Sequence, residues 1–177
     1  MRGVCFYIAL VSLACFSLVT QPCTAETPQE FKVKAGYLLS LPMFAEFTPS
    51  TAACSTFTIA VVGDTPLYDI LQAVKGKRIK NLPVATRMVR DISEADCCQV
   101  LFIAASERYR LQRLLLEAHQ RGIMTISDMR DFTRLGGMVA LVTVNDRVTY
   151  DLNLPAARAA NISFSSQLLK LANDISN

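Results

Sequence analysis

Phe57-Thr58-Ile59-Ala60-Val61-Val62-Gly63-Asp64-Thr65-Pro66, continued by Leu67 to Val74, is the stretch that decides the fold. Six apolar or β-branched residues without a charge read as a strand buried on both faces, the kind found in parallel sheets covered by helices. Gly63-Asp64 turns the chain. Thr65 is the expected cap of the helix that follows, and Pro66 suits its first position. Leu67, Ile70, Leu71 and Val74 then recur at i, i+3, i+4 and i+7, the spacing of a helix laid on a sheet.

Downstream the plan repeats. Val84 to Val89 predicts a short strand and Val100 to Ala104 a buried one, after which Ser106 is the expected cap of a helix carrying Leu111, Leu114, Leu115 and Ala118 and ended by Gly122. Ile123 to Ile126 predicts another strand. Strands alternating with single amphipathic helices imply right-handed crossovers and a mainly parallel sheet. The last third differs: Met138 to Val144 and Arg147 to Asn153 read as strands joined by Asn145-Asp146, residues that accept the positive φ of a two-residue hairpin. Phe164, Leu168, Leu171, Ala172 and Ile175 share a helical spacing and predict a closing helix. The expected fold is therefore α/β: a three-layer sandwich with a mainly parallel sheet flanked by helices and a C-terminal antiparallel hairpin.

Upstream, Gln29 to Leu41 predicts a helix with Phe31, Ala35 and Leu38 on one face, ended by Pro42. Before it, Arg2 is followed by an apolar, uncharged run from Val4 to Val19, then by Gln21-Pro22 and the small residues of Cys23-Thr24-Ala25. A run of about 16 residues is shorter than the roughly 20 that span a bilayer, and a small-x-small site follows it. Residues 1–25 are accordingly expected to be a cleavable secretory signal, and 26–177 the exported domain, in the periplasm.

Composition narrows the function classes. The chain carries 18 Lys+Arg against 15 Asp+Glu, so without Arg2 the net charge is about +2, too small for a nucleic-acid partner. Of six cysteines, Cys54, Cys97 and Cys98 follow the signal. An oxidising compartment favours a bridge, and a vicinal bridge within Cys97-Cys98 strains the peptide between them. Cys54 precedes the strand at Phe57 and Cys97-Cys98 precedes the one at Val100, so parallel neighbours would bring these ends side by side. Cys98, which enters its strand directly, is the expected partner of Cys54, with Cys97 the alternative.

Three cysteines and His119 have no finger-like spacing, so no metal site or cofactor is expected. No Gly-x-Ser-x-Gly elbow accompanies His119, which is expected to face water at its helix end. Asp128, Asp131 and Asp151 read as turn and cap residues, and no catalytic residue emerges. Lys75 to Lys80 reads as a solvated basic loop. Gly136-Gly137 reads as a close approach of backbones or an entry into a strand. If the domain takes a small ligand, Asp64 and Ser106, at the loop ends after the first and third strands, are its candidates. If it binds a protein, exposed apolar residues near the N-terminal segment are the candidates: Tyr37, Phe44 and Phe47.

Tyr150-Asp151-Leu152-Asn153-Leu154, Ala156-Ala157-Arg158-Ala159-Ala160 and SSQLLKLA from Ser165 to Ala172 together resemble the terminal signature of the YfiR family. VKAGYLLSLPMFAEFTP (Val33 to Pro49), AVVGDTP (Ala60 to Pro66) and CQVLFIA (Cys98 to Ala104) resemble its opening segment, first strand and third strand. The resemblance implies a periplasmic regulator without catalytic activity and with a tendency to dimerise. Its best-understood members hold a YfiN-type inner-membrane diguanylate cyclase inactive through the periplasmic sensor domain. A YfiB-type outer-membrane lipoprotein sequesters them, and cyclic di-GMP and biofilm formation rise. This chain has Ala60 where the family often carries a cysteine, Phe47-Thr48-Pro49 where it has Trp-Pro, and no second cysteine pair, so redox control by that pair is not implied.

Overall fold

The computed structural model describes residues 28–47, 54–74 and 76–177; the expected secretory signal lies outside them. In chain order the elements are α1 (Pro28–Ser40), a 3-10 turn (Leu41–Phe44), β1 (Ala45–Glu46), β2 (Phe57–Val62), α2 (Leu67–Ala73), β3 (Arg78–Ile79), β4 (Leu82–Val89) and β5 (Cys98–Ile103). There follow a 3-10 turn (Ala105–Arg110), α3 (Leu111–Gln120), β6 (Met124–Ser127), β7 (Val139–Val144), β8 (Arg147–Asn153), α4 (Leu154–Ala159), β9 (Ser163–Phe164), α5 (Ser166–Leu171) and β10 (Asp174–Ser176). Among the described residues no helix is long and apolar enough to cross a membrane.

Eight strands form one sheet in the order β10-β8-β7-β6-β5-β2-β4-β3. β4, β2, β5, β6 and β7 run parallel, β7-β8 and β3-β4 are antiparallel, and β10 joins β8 in parallel. β2 is buried from end to end because the sheet is covered on both sides. Phe57, Ile59 and Val61 point into one core with α1, α2, α4 and α5. Ala60 and Val62 point into a second core with Leu111, Leu114, Leu115 and Ala118 of α3. β5 divides likewise, with Val100 and Phe102 on the first face and Cys98, Leu101 and Ile103 on the second. The uncharged strand and the α/β sandwich read from it are thus one observation: period-2 side chains with no wet face.

The turns follow their residue types. Asn145 and Asp146 both take positive φ, closing the β7-β8 hairpin with Val144 opposite Arg147. Lys80 and Asn81 do the same between β3 and β4, so the expected basic loop is a short hairpin whose Ile79 is buried. Gly137 approaches a ring: a Cβ there would lie 2.1 Å from Phe132, which is fully buried.

The closing helix is shorter than its spacing predicted. α5 stops at Leu171, since Ala172 is extended, and Ile175 lies in β10 beside Leu152. The turn that intervenes is held by Asn173, whose amide donates to Tyr150 O at 2.8 Å and whose Nδ2 donates to Asp151 Oδ1 at 2.7 Å. Phe164 belongs to β9, outside the helix. A further helix, α4, begins where Asn153 Oδ1 accepts the Ala156 amide at 2.9 Å and Pro155 fills the first turn.

Candidate partner interface

The aromatic segment after α1 is clasped to the C-terminal signature. Leu41 and Pro42 are buried in the core, which leaves the 3-10 turn to carry Met43 outward, 54% exposed. β1 then pairs antiparallel with β9, Ala45 opposite Phe164 and Glu46 opposite Ser163. The Ser165 amide donates to Phe44 O at 2.9 Å, and the Ser163 hydroxyl donates to Glu46 Oε2 at 3.2 Å. Ser165 Oγ in turn accepts the Leu168 amide and caps α5, whose last residue, Leu171, is 67% exposed.

The three aromatics named from sequence have different roles. The Tyr37 hydroxyl donates to Val148 O at 3.1 Å, and its ring meets Tyr150 edge-on at 5.6 Å. Tyr150 in turn donates to Leu168 O at 2.8 Å, so Tyr37 ties α1 to the hairpin rather than offering a free face. Phe44 and Phe47 are half-buried against the first core, Phe47 edge-on to Phe57 at 5.7 Å. On the 3-10 turn and at the end of α5, Met43 and Leu171 are exposed apolar residues that sequence reasoning missed. The helical spacing predicts Leu171 on the apolar face of a longer helix; the helix ends at this residue, and its side chain is turned to solvent.

Lys34, on the inward side of α1, is buried between Glu30 at 3.4 Å and Asp128 at 3.6 Å, with its ammonium 5.4 Å from the Phe31 ring. Lys34, Glu30 and Asp128 line a crevice of about 1170 Å³ beside Leu141 to Val148. Asp128 is therefore a partner to a buried cation, and Asp131 pairs with Arg108 at 2.6 Å, which holds its carboxyl down at about 2. Asp151 accepts from Asn173 and lines the same crevice as Asp128, whereas Asp131 lies outside that lining.

Asp64 and Ser106 do come together, but with each other. The Asp64 amide donates to Ser106 Oγ at 2.9 Å. Ser106 is thus not the cap expected of it; the turn that opens at Ala105 has Ala104 in the capping position, without a side-chain hydrogen bond. A Cβ on Gly63, at φ +91°, would fall 2.6 Å from both Ser106 Oγ and Glu107 Cγ. The C-terminal ends of β2 and β5, where open α/β sheets bind ligands, are packed against one another.

At the opposite ends of the same strands the bridge is Cys54–Cys97, with a Cα separation of 5.8 Å, while Cys98 is free and buried. This corrects the expected Cys98 pairing. Cys98 is the first residue of β5 and alternates inward to the α3 face, where its thiol donates to Val100 O at 2.9 Å. Burial pushes that thiol up to about 11. Cys97 takes a left-handed φ of 55°, which leaves it outside the ladder and exposed for Cys54. A cavity of about 420 Å³ beside it is lined by Cys97, His119, Arg121 and Asn161 among others. His119, expected to face water, is half-buried: its Nε2 is buried without a hydrogen-bond partner among the described residues, and burial lowers its pKa. Among the described residues no cluster of His, Cys, Asp or Glu could hold a metal ion.

The fold is similar to two solved structures. One is a conserved domain protein from Vibrio cholerae O1 biovar El Tor, with TM-score 0.57 and 10% identity. The other is the ABC domain from Streptococcus pneumonia solved in complex with L-Trp, with TM-score 0.52 and 10% identity. Each match covers 82% of this chain and 60% of the other, so the chain spans little more than half the length of these structures. A search of curated proteins finds no match. A family model described as YfiR/HmsC-like matches residues 31–173, from α1 through the turn after α5, and the chain belongs to that family.

Proposed function

We infer that the chain is a periplasmic regulator that represses a membrane signalling protein, a diguanylate cyclase or sensor kinase, by binding its periplasmic sensor domain. The observation that carries this reading is the apolar surface at the clasp: Met43 and Leu171 stand out from the protein around half-buried Phe44 and Phe47. Exposed apolar clusters of this kind mark protein contacts. Family membership supports the regulatory role, and the packed strand ends at Asp64 and Ser106 favour a protein client over a small molecule.

The mechanism is a population shift. The regulator binds the inactive sensor conformation more tightly than the active one, and its removal, by a YfiB-type outer-membrane lipoprotein or another competitor, lets the active conformation recover. A homodimer would present two such surfaces to a dimeric sensor. The test is capture from envelope membranes with the purified domain and with Met43→Glu/Leu171→Glu. Recovery of a membrane signalling protein by the parent domain, lost in the variant with its melting temperature unchanged, is the expected result. Capture unaffected by both charges would sink the reading.

A further inference from the structure

The sheet has one long open edge, and it is basic. β4 pairs with β2 along Val84 to Val89, but on its other side β3 covers only Leu82 and Pro83. The Val84 amide still reaches Lys77 O at 3.1 Å, and Gln72 Nε2 from α2 donates to Thr86 O at 3.0 Å. Both bonds point away from β2, so by strand alternation the amides of Thr86 and Met88 and the carbonyl of Met88 face outward too. Among the described residues no strand pairs with them, and Met88 is 46% exposed.

Natural edges are commonly blunted by charge, and here all the exposed charge on the edge hairpin and strand has one sign. Lys77, Arg78, Lys80, Arg87 and Arg90 are exposed and form no ion pair among the described residues. Of the neighbouring carboxylates, Asp91 is taken by Arg110 and Arg113, Glu94 accepts the Arg90 amide, and Asp69 on α2 is exposed and forms no ion pair among the described residues. The edge also adjoins the aromatic segment: Val84 lies opposite Phe57, whose ring meets Phe47.

We propose that the open edge of β4 from Val84 to Val89 accepts an extended, acidic segment of a protein partner as an added strand, its carboxylates answered by Lys77, Arg78, Lys80 and Arg87. Main-chain bonds to Thr86 and Met88 give the contact its register, and the cations select the partner's charge. A second copy of this chain would set the same cations against one another, so self-pairing at this edge is disfavoured. The proposal rests on the reading of the domain as a protein-binding regulator and names the chemistry of the segment it grips.

The probe is a capped peptide of about ten residues alternating Glu with Val or Thr, titrated into the isotopically labelled domain at low salt. Amide shifts confined to Val84–Val89 and the β3-β4 hairpin are expected, with hydrogen exchange slowed at Thr86 and Met88 and a Kd near 1 mM. Lys80→Glu/Arg87→Glu should weaken binding about tenfold. Thr86→Pro, which removes an outward donor from an edge strand, should abolish it; if that variant does not fold, the charge reversal and exchange data decide. Equal binding of a Lys-for-Glu peptide, of an acidic peptide with proline at alternate positions, or of an acidic oligonucleotide would overturn the proposal. So would shifts centred on Met43 and Leu171, or self-association in sedimentation that Arg87→Glu removes. The peptide experiment needs no client protein, so membrane capture that fails while the peptide binds refutes the regulatory role and leaves the edge standing.

Discussion

β2 and β5 lie side by side, and their two ends are secured in opposite ways. At the N-terminal end a covalent bond, Cys54–Cys97, joins chains whose side chains are partly open to solvent and adjoin a cavity. At the C-terminal end there is no covalent link; Gly63, Ser106 and Glu107 fill the space by shape, and the Asp64 and Ala104 amides donate to Ser106 Oγ and Val62 O. The difference teaches where binding is to be sought. The crevice that this class of sheet usually offers to small molecules has been closed by its own loops, which directs the search to the apolar clasp and the strand edge first.

The comparison breaks most readily at the covalent end. The bridge spans a sequence separation of 43, for which loop-closure entropy gives about 4 kcal/mol. Cys54→Ala/Cys97→Ala should lower stability by that order in urea unfolding, whereas Cys98→Ala should cost far less. Native Cys98, buried and with its thiol pushed up to about 11, should resist alkylation until the protein unfolds. Rapid labelling of Cys98 in the native state would show that β5 opens more readily than its burial implies.

The closed end should respond next. Gly63→Ala forces a side chain into a left-handed φ and within 2.6 Å of two neighbours, a loss of roughly 2 kcal/mol or more. Thermal unfolding measures it, and a neutral substitution would mean that the loops after β2 and β5 can part to admit a ligand.

The smallest effect is the pH dependence that His119 adds beside the bridge. Its folded pKa is depressed by burial, so the unfolded imidazole takes up a proton first. Its contribution is fully present above the ordinary value of 6.5 and is lost as pH falls below it. His119→Phe should flatten the slope of stability between about pH 7 and pH 5. An unchanged slope would place that titration elsewhere.

How far the sequence could be read depended on whether a feature was local. The buried strand at Phe57, the helix after Thr65 and the Asn145-Asp146 hairpin are each written in consecutive residues, and all three stand in the structure. Features set by tertiary partners were illegible. The periodicity of Leu168, Leu171 and Ile175 fits a helix, yet Asn173 finds Tyr150 and Asp151 and the chain turns into a strand. The choice between Cys97 and Cys98 turned on a left-handed backbone that cysteine rarely adopts. Ser106 has the residue type of a cap, but the Asp64 amide, in the turn after β2, takes its hydroxyl oxygen. Among the interface candidates, Phe44 and Phe47 were legible as aromatics in a short segment; the outward turn of Met43 and Leu171 came only from where the helices stop.

The clasp between β1 and β9 joins Glu46 to Ser163 across 117 residues of chain. Contacts of such sequence separation form late in folding, because the loop between them must first be ordered. The apolar surface built on that clasp therefore does not exist on a partly folded chain. On the proposed reading, competence to grip a client would report that the domain has been finished, and a chain nicked near residue 163 would be silent rather than half-active.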